Sequence, residues 1–202
     1  GLKKDWGNIF LNIVNQHKPK VFLEVGVFCG VTARNVCELL NIIHSGNFKY
    51  VGIDLFGDKA NEDEKAPNYL KKQSFSNPIK NLFYNIILRE NLNSYESVQK
   101  FLKKFSNNIT LIKGNSNKIL QHFYLENIDF AFLDGGHSFE TVLNDLNLLF
   151  DKISSNKDAI ILCDDYEDAD YITGVKRAVD QFVKEKKLKF EIIEKRFAKI
   201  TI

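Results

Sequence analysis

Short apolar runs alternate with stretches of helical spacing along most of this chain. Trp6, Ile9, Phe10, Ile13 and Val14 recur at helical spacing and Pro19 closes the segment, which predicts a helix within residues 1–19. Apolar runs short enough for buried strands follow at Lys20 to Val25, Tyr50 to Asp54, Ile109 to Ile112, Ile128 to Leu133 and Ala159 to Cys163. Helical patterns separate them. Val36, Leu39, Leu40 and Ile43 mark one, broken by Ser45-Gly46-Asn47; Phe139, Val142, Leu143, Leu146 and Phe150 mark another, with Ser138 placed to cap it. After a helix around Val175 to Val183, the runs Leu188 to Ile193 and Phe197 to Ile202, joined by Glu194-Lys195-Arg196, predict a hairpin. The alternation predicts an α/β fold: a doubly wound, Rossmann-like sheet, mostly parallel, ending in an antiparallel hairpin.

Residues 55–108 break the rhythm. The segment is too long for a simple crossover, holds Pro67 and Pro78, and contains Asn93-Ser94-Tyr95-Glu96, which has the form of a capping box for a helix to Phe105. Its place after the second strand puts it over a ligand crevice, so it is expected to form a partly helical substrate lid, with Tyr69, Phe75, Phe83 and Tyr84 in lid packing or at a pocket wall. The rest fits a single domain over residues 1–202, long enough to bury roughly 70% of its unfolded surface.

A net charge of +2 is too mild for a nucleic-acid footprint, and Lys184-Glu185-Lys186-Lys187-Leu188-Lys189 carries an internal acid and reads as a solvated helix end. No apolar run reaches membrane length, so neither nucleic acid nor a membrane is expected as a partner. Cys29, Cys37 and Cys163 are odd in number and lie in apolar patterns, which suits reduced packing residues and points to the cytoplasm. The first residue is Gly1 and Met is absent, which reads as an altered or trimmed start.

The strongest chemical signal is Val21-Phe22-Leu23-Glu24-Val25-Gly26-Val27-Phe28-Cys29-Gly30, followed by Asp54 at the end of the next run. Glycines at such a turn let backbone approach a ligand closely, and an acid after the second strand can accept both hydroxyls of a ribose. An adenosine-containing cofactor is therefore expected against Glu24, Gly26, Gly30 and Asp54. Dinucleotide sites use G-x-G-x-x-G because helix amides face a pyrophosphate, whereas an acid in Glu24-x-Gly26-x-x-x-Gly30 suits a cationic ligand with an amino-acid tail. The glycine loop resembles that of class I S-adenosylmethionine-dependent methyltransferases, a group to which the terminal hairpin also fits better than to all-parallel dinucleotide sheets.

A second constellation lies beyond the fourth and fifth strands, where ligands collect in open parallel sheets. Asp134 follows Leu133, and Asp164-Asp165 follow Cys163. Close carboxylates repel unless a cation holds them, and an oxygen-only donor set suits Mg²⁺ better than zinc or copper. Hydrogen-bonded strand-end acids are the plainer alternative. Glu167, Asp168 and Asp170 read as a solvated loop, Asp145 and Lys176 as a polar helix face, and His17, His44 and His122 as helix residues with no chemical role.

These residues carry a more specific resemblance. Asp134-Gly135-Gly136-His137-Ser138-Phe139 with Val142 and Asp145, then Asp164-Asp165-Tyr166, then Gly174-Val175-Lys176-Arg177-Ala178-Val179, resemble the macrocin O-methyltransferase family and its broader relatives of the Methyltransf_24 type, over about residues 20–185. The resemblance implies a Rossmann-like methyltransferase fold, S-adenosylmethionine as cofactor, use of Mg²⁺ held by Asp134, Asp164 and Asp165, and transfer of methyl to a hydroxyl of a sugar or other small molecule. It makes His137 the candidate base, with Asp134 beside it in the catalytic set and in contact with the cofactor; His137 as a residue that merely starts a helix stays open. Gly114-Asn115-Ser116 stands where relatives often have Gly-Asp-Ser near the adenine, so Asn115 is a departure and Ser116 a match. A catechol-type enzyme acting on a phenol, a nicotinamide-dependent oxidoreductase, and a cofactor-binding module without turnover are the alternatives. The acceptor and the oligomeric state, a homodimer included, are left open.

Overall fold

The computed structural model describes residues 2, 4–57, 91–153, 155–167 and 174–202. Its elements are α1 (Lys4–His17), β1 (Val21–Val25), α2 (Val31–His44), β2 (Lys49–Asp54), α3 (Tyr95–Phe101) with a 3-10 turn at Lys103–Phe105, β3 (Ile109–Lys113), α4 (Ser116–His122), β4 (Phe130–Leu133), α5 (Phe139–Ile153), β5 (Ile160–Cys163), α6 (Gly174–Lys186), β6 (Lys189–Ile193) and β7 (Phe197–Thr201). The described strands form one seven-stranded sheet in the order β3-β2-β1-β4-β5-β7-β6. The first five run parallel, and β7 is antiparallel to both β5 and β6. The α/β fold with a C-terminal antiparallel hairpin is therefore as the pattern predicts.

Alternation along the strands divides the core between the two faces of the sheet. Leu23, Val25, Val51, Ile53, Ala131, Leu133 and Ile161 pack with Val142, Leu146 and Leu149 of α5 and Ala178, Val179 and Phe182 of α6. Phe22, Tyr50, Phe130, Phe132 and Leu162 face Phe10, Ile13 and Val14 of α1 and Ala33, Val36, Cys37 and Leu40 of α2. The second face is unusually aromatic: Phe22 stacks on Phe130 at 5.1 Å, and Phe10 meets Phe132 at 4.5 Å. Register sets the strand ends level. Val25 pairs with both Ile53 and Leu133, and Leu133 with Cys163, so Gly26, Asp54, Asp134 and Asp164 all leave the sheet at one edge.

Several boundaries differ from the sequence pattern for identifiable reasons. Asp129 precedes β4, and its carboxylate turns to the start of β1, where Oδ2 accepts from the amides of Lys20 at 2.8 Å and Val21 at 2.9 Å. The helix expected to reach Phe105 ends at Phe101 and tightens into the 3-10 turn. Its cap is Ser94, which accepts from the Ser97 amide at 3.2 Å, so the box based on Asn93 and Glu96 does not form. Val98, Leu102 and Phe105 are buried in the aromatic core face, so the helix and the 3-10 turn after it pack onto the sheet. Tyr69, Phe75, Phe83 and Tyr84, on which the lid expectation rests, lie outside the described residues. Asp145, read as a surface acid, is buried: Ser116 Oγ donates to it at 2.8 Å and Asn117 Nδ2 at 2.6 Å, tying α4 to α5. Lys176 does lie on a polar face, bonded to Asp180 at 2.8 Å one turn away. The three cysteines are free, and among the described residues no helix is long and apolar enough to cross a membrane.

Replacing Asp129 with Ala leaves two strand-start amides without their acceptor. The variant should unfold about 1–3 kcal/mol more easily than the parent, read from urea denaturation midpoints at constant m.

Candidate active site

The glycine loop is shaped by contact between two backbones. Gly26 has φ 96°, and a Cβ there would lie 2.0 Å from the carbonyl oxygen of Asp134, a position no side chain tolerates. Gly26 N donates to Ile53 O at 2.9 Å, which ties the loop to β2 as well. Gly30 ends the loop as the residue before α2, its amide donating to Val27 O at 2.9 Å. Asp54 closes the arrangement: Oδ2 accepts from Phe28 N at 2.8 Å and Oδ1 from Phe56 N at 2.6 Å. Its carboxylate thus pins the loop. Each oxygen keeps lone-pair capacity beyond that one bond for a hydroxyl, as a ribose acceptor needs.

Glu24 is wholly buried within β1, and Tyr50 OH donates to its Oε2. Gly52, directly opposite Glu24, makes the space: a Cβ there would come within 3.1 Å of the Tyr50 ring and 2.7 Å of Val27. Burial pushes the Glu24 carboxyl up to about 8, with the charge of Asp54 adding to the shift and the Tyr50 bond opposing it. Its Oε1 is buried with no hydrogen-bond partner. Glu24 therefore lies beneath the loop as an acid held protonated near neutrality, not as a surface anion. Asn115 precedes α4 and its Oδ1 is also buried without a partner, while the Ser116 hydroxyl is committed to Asp145.

Asp134, Asp164 and Asp165 converge, with one ligand oxygen from each lying within 4.8 Å of the others. They line a cavity of about 10 Å³ together with Gly135, Gly136, His137, Val142 and Val175, room for one water-sized occupant. Burial, then the charges of Asp164 and Asp165, push Asp134 well above the usual carboxylate range. Burial likewise raises Asp164 to about 6, the Arg196 hydrogen bond holding it back and Asp165 pushing it further up. Oδ1 of Asp164 is buried without a hydrogen-bond partner, and Oδ1 of Asp165 is buried with the Arg196 guanidinium 3.0 Å away. An all-oxygen set with an orphaned carboxylate oxygen fits a hard divalent cation.

His137 stands beside this group, its Nε2 3.2 Å from Asp165 Oδ2. It does not cap α5; Ser138 does, its Oγ accepting from Thr141 N at 3.2 Å. Asp165 adopts φ 56°, a left-handed conformation that aims its carboxylate between His137 and the hairpin. From the hairpin comes a residue the sequence pattern passed over as part of a turn. Arg196 Nη2 reaches Asp164 Oδ2 at 2.6 Å and Asp165 Oδ1 at 3.0 Å. The register that pairs Cys163 with Ala198 carries Arg196 alongside the acids, a signal that only knowledge of the β5–β7 pairing supplies.

Comparison with known proteins agrees with this geometry. The profile of the Methyltransf_24 family, described as a methyltransferase domain, matches residues 23–166. An uncharacterised protein of Acanthamoeba polyphaga mimivirus is 38% identical over 72 residues, which are 33% of this chain and 32% of that protein; the match spans about a third of that relative's length. The fold is that of solved methyltransferases. The Podospora anserina methyltransferase PaMTH1, in its SAH-bound structure, superposes with a TM-score of 0.63 at 15% identity, covering 100% of this chain and 79% of that one. The O-methyltransferase NovP gives a TM-score of 0.65 at 15% identity, covering 98% and 78%. An O-methyltransferase from Bacillus cereus in complex with SAH gives 0.57 at 11% identity, covering 100% and 83%.

The buried Glu24 makes stability depend on pH. Because its pKa rises from an ordinary 4.5 to about 8 on folding, the folded state keeps a proton that the unfolded chain releases between those values. Its stabilising contribution is complete below pH 4.5 and is lost as pH climbs to 8, at up to about 1.4 kcal/mol per unit. Urea unfolding at pH 5.5 and 7.5 should show that slope in the parent and a flatter one in Glu24→Gln.

Proposed function

Because the chain belongs to the Methyltransf_24 family of methyltransferase domains, we propose that it is an S-adenosylmethionine-dependent, Mg²⁺-dependent O-methyltransferase acting on a hydroxyl of a sugar or other small molecule. The observation that carries this reading is the meeting of Asp134, Asp164, Asp165 and His137 at the sheet edge where the glycine loop and Asp54 also emerge. S-adenosylmethionine supplies an electrophilic sulfonium methyl, so the residues have to align an acceptor oxygen with it and help that oxygen lose its proton. Gly26 and Gly30 shape the loop against which the cofactor lies. Asp54 accepts the ribose hydroxyls while it keeps its two loop amides, and the buried Oδ1 of Asn115 is an acceptor available toward the adenine side.

Asp134, Asp164 and Asp165 are the residues to hold Mg²⁺, which when bound lowers the pKa of a hydroxyl and fixes its position. His137 is the base. Its Nε2 contact with Asp165 orients the ring, and Asp165 steadies the imidazolium that forms when His137 takes the acceptor proton.

Calorimetry and thermal unfolding with S-adenosylhomocysteine, with NAD as control, test the cofactor. S-adenosylhomocysteine at a hundred times its dissociation constant should add about 2.7 kcal/mol of stability, and NAD none; binding of NAD, or of neither, would overturn the reading. With an acceptor found by screening hydroxylated small molecules, His137→Ala should lower kcat by about 10²- to 10⁴-fold. Chelator and Asp164→Asn should each abolish turnover. Full activity in any of these three sinks the corresponding role.

A further inference from the structure

The hairpin turn holds Arg196 over the acid cluster by its backbone. Arg196 O accepts from Tyr166 N at 2.8 Å and Lys195 O from Glu167 N at 3.2 Å, so the turn is bonded to the segment that follows Asp165. From there a single nitrogen, Nη2, stands 2.6 Å from Asp164 Oδ2 and 3.0 Å from Asp165 Oδ1. One donor atom between two carboxylates is the place of a shared cation. It is not the two-pronged fork that arginine makes with a single carboxylate, and Nε is buried without a hydrogen-bond partner. On its other side the guanidinium lies 5.5 Å from the Trp6 ring and 5.9 Å from the Phe197 ring, within reach of both aromatic faces.

We propose that Arg196 is a tethered counter-cation that competes with divalent metal for the Asp134, Asp164 and Asp165 cluster and thereby sets how tightly metal binds. The inference rests on the metal reading above. Asp164 and Asp165 are 3% and 8% exposed, so little solvent screens a guanidinium from a metal ion at the same two carboxylates. Asp164 Oδ2 and Asp165 Oδ1 are taken by Arg196, while Asp164 Oδ1 is buried without a hydrogen-bond partner in a group that lines the cavity. A metal drawn in by the three acids meets a positive charge already bonded to two of them. The rings of Trp6 and Phe197 give the guanidinium somewhere to rest as its hold on Asp164 loosens. Without metal, the same guanidinium neutralises the acid pair and keeps the site closed.

Mn²⁺ is the probe, its binding followed by the loss of free-ion electron paramagnetic resonance signal for the parent, Arg196→Gln, Arg196→Lys and Asp164→Asn. Arg196→Gln should bind Mn²⁺ about tenfold or more tightly than the parent, with Arg196→Lys, whose more strongly hydrated ammonium sits on a more flexible stem, in between. Asp164→Asn should lose binding. In chelator, Arg196→Gln should melt below the parent and regain more on adding Mn²⁺. Should the Gln variant not fold, the Lys variant decides the sign. Binding equal to or weaker than the parent in the Arg196 variants, yet lost in Asp164→Asn, overturns this inference alone; absence of Mn²⁺ binding in every protein overturns it together with the metal reading.

Discussion

The site depends on the close approach of two backbones at the middle of the sheet. β1 and β4 lie side by side where strand order reverses, and the loop leaving β1 rests directly on the carbonyl of Asp134. Only a residue without a side chain permits this, so Gly26 fixes the distance between the cofactor loop and the first acid of the cluster. Everything chemical follows from that contact and from level strand ends. Were β1 and β4 to splay, Asp54 would still pin its loop and Asp164 its arginine, but the two halves would no longer share one crevice.

Charge is the second constraint. Three acids meet in a cavity with space for one small occupant, and a fourth, Glu24, lies beneath the neighbouring loop. The protein handles them differently. Glu24 is kept protonated by burial, against the pull of the Tyr50 hydrogen bond, Asp145 is satisfied by two side-chain donors from α4, and the cluster is offset by Arg196. Asp164 keeps an orphaned oxygen at the cavity, as Glu24 does beneath the loop.

What could be read from the chain was what strands and helices display locally. Each buried strand is an apolar run, and Asp54, Asp134 and Asp164 were visible because each ends or follows such a run at the edge where ligands gather. Residues whose role depends on distant pairing were not visible. Arg196 is a turn residue by its neighbours, and becomes a partner of Asp164 only because β7 inserts between β5 and β6. Asp145 looks like any acid on an amphipathic helix until Ser116 and Asn117 are brought against it. Ser94 and Asn93 are both good caps, and local sequence does not choose between them. The start of the helix at 95–101 is hard to place in the sequence because prolines and polar residues before it hide where the core resumes.

The approach of the Arg196 guanidinium to the Trp6 ring joins the first helix to the last hairpin beside the acids. In chain order the acids are made before the hairpin, while Trp6 precedes them both. Trp6 packs on Phe197 of β7 as well as facing Arg196, so the contact exists only once β7 has paired with β5. Covering the acids with Arg196 thus depends on bringing distant parts of the chain together.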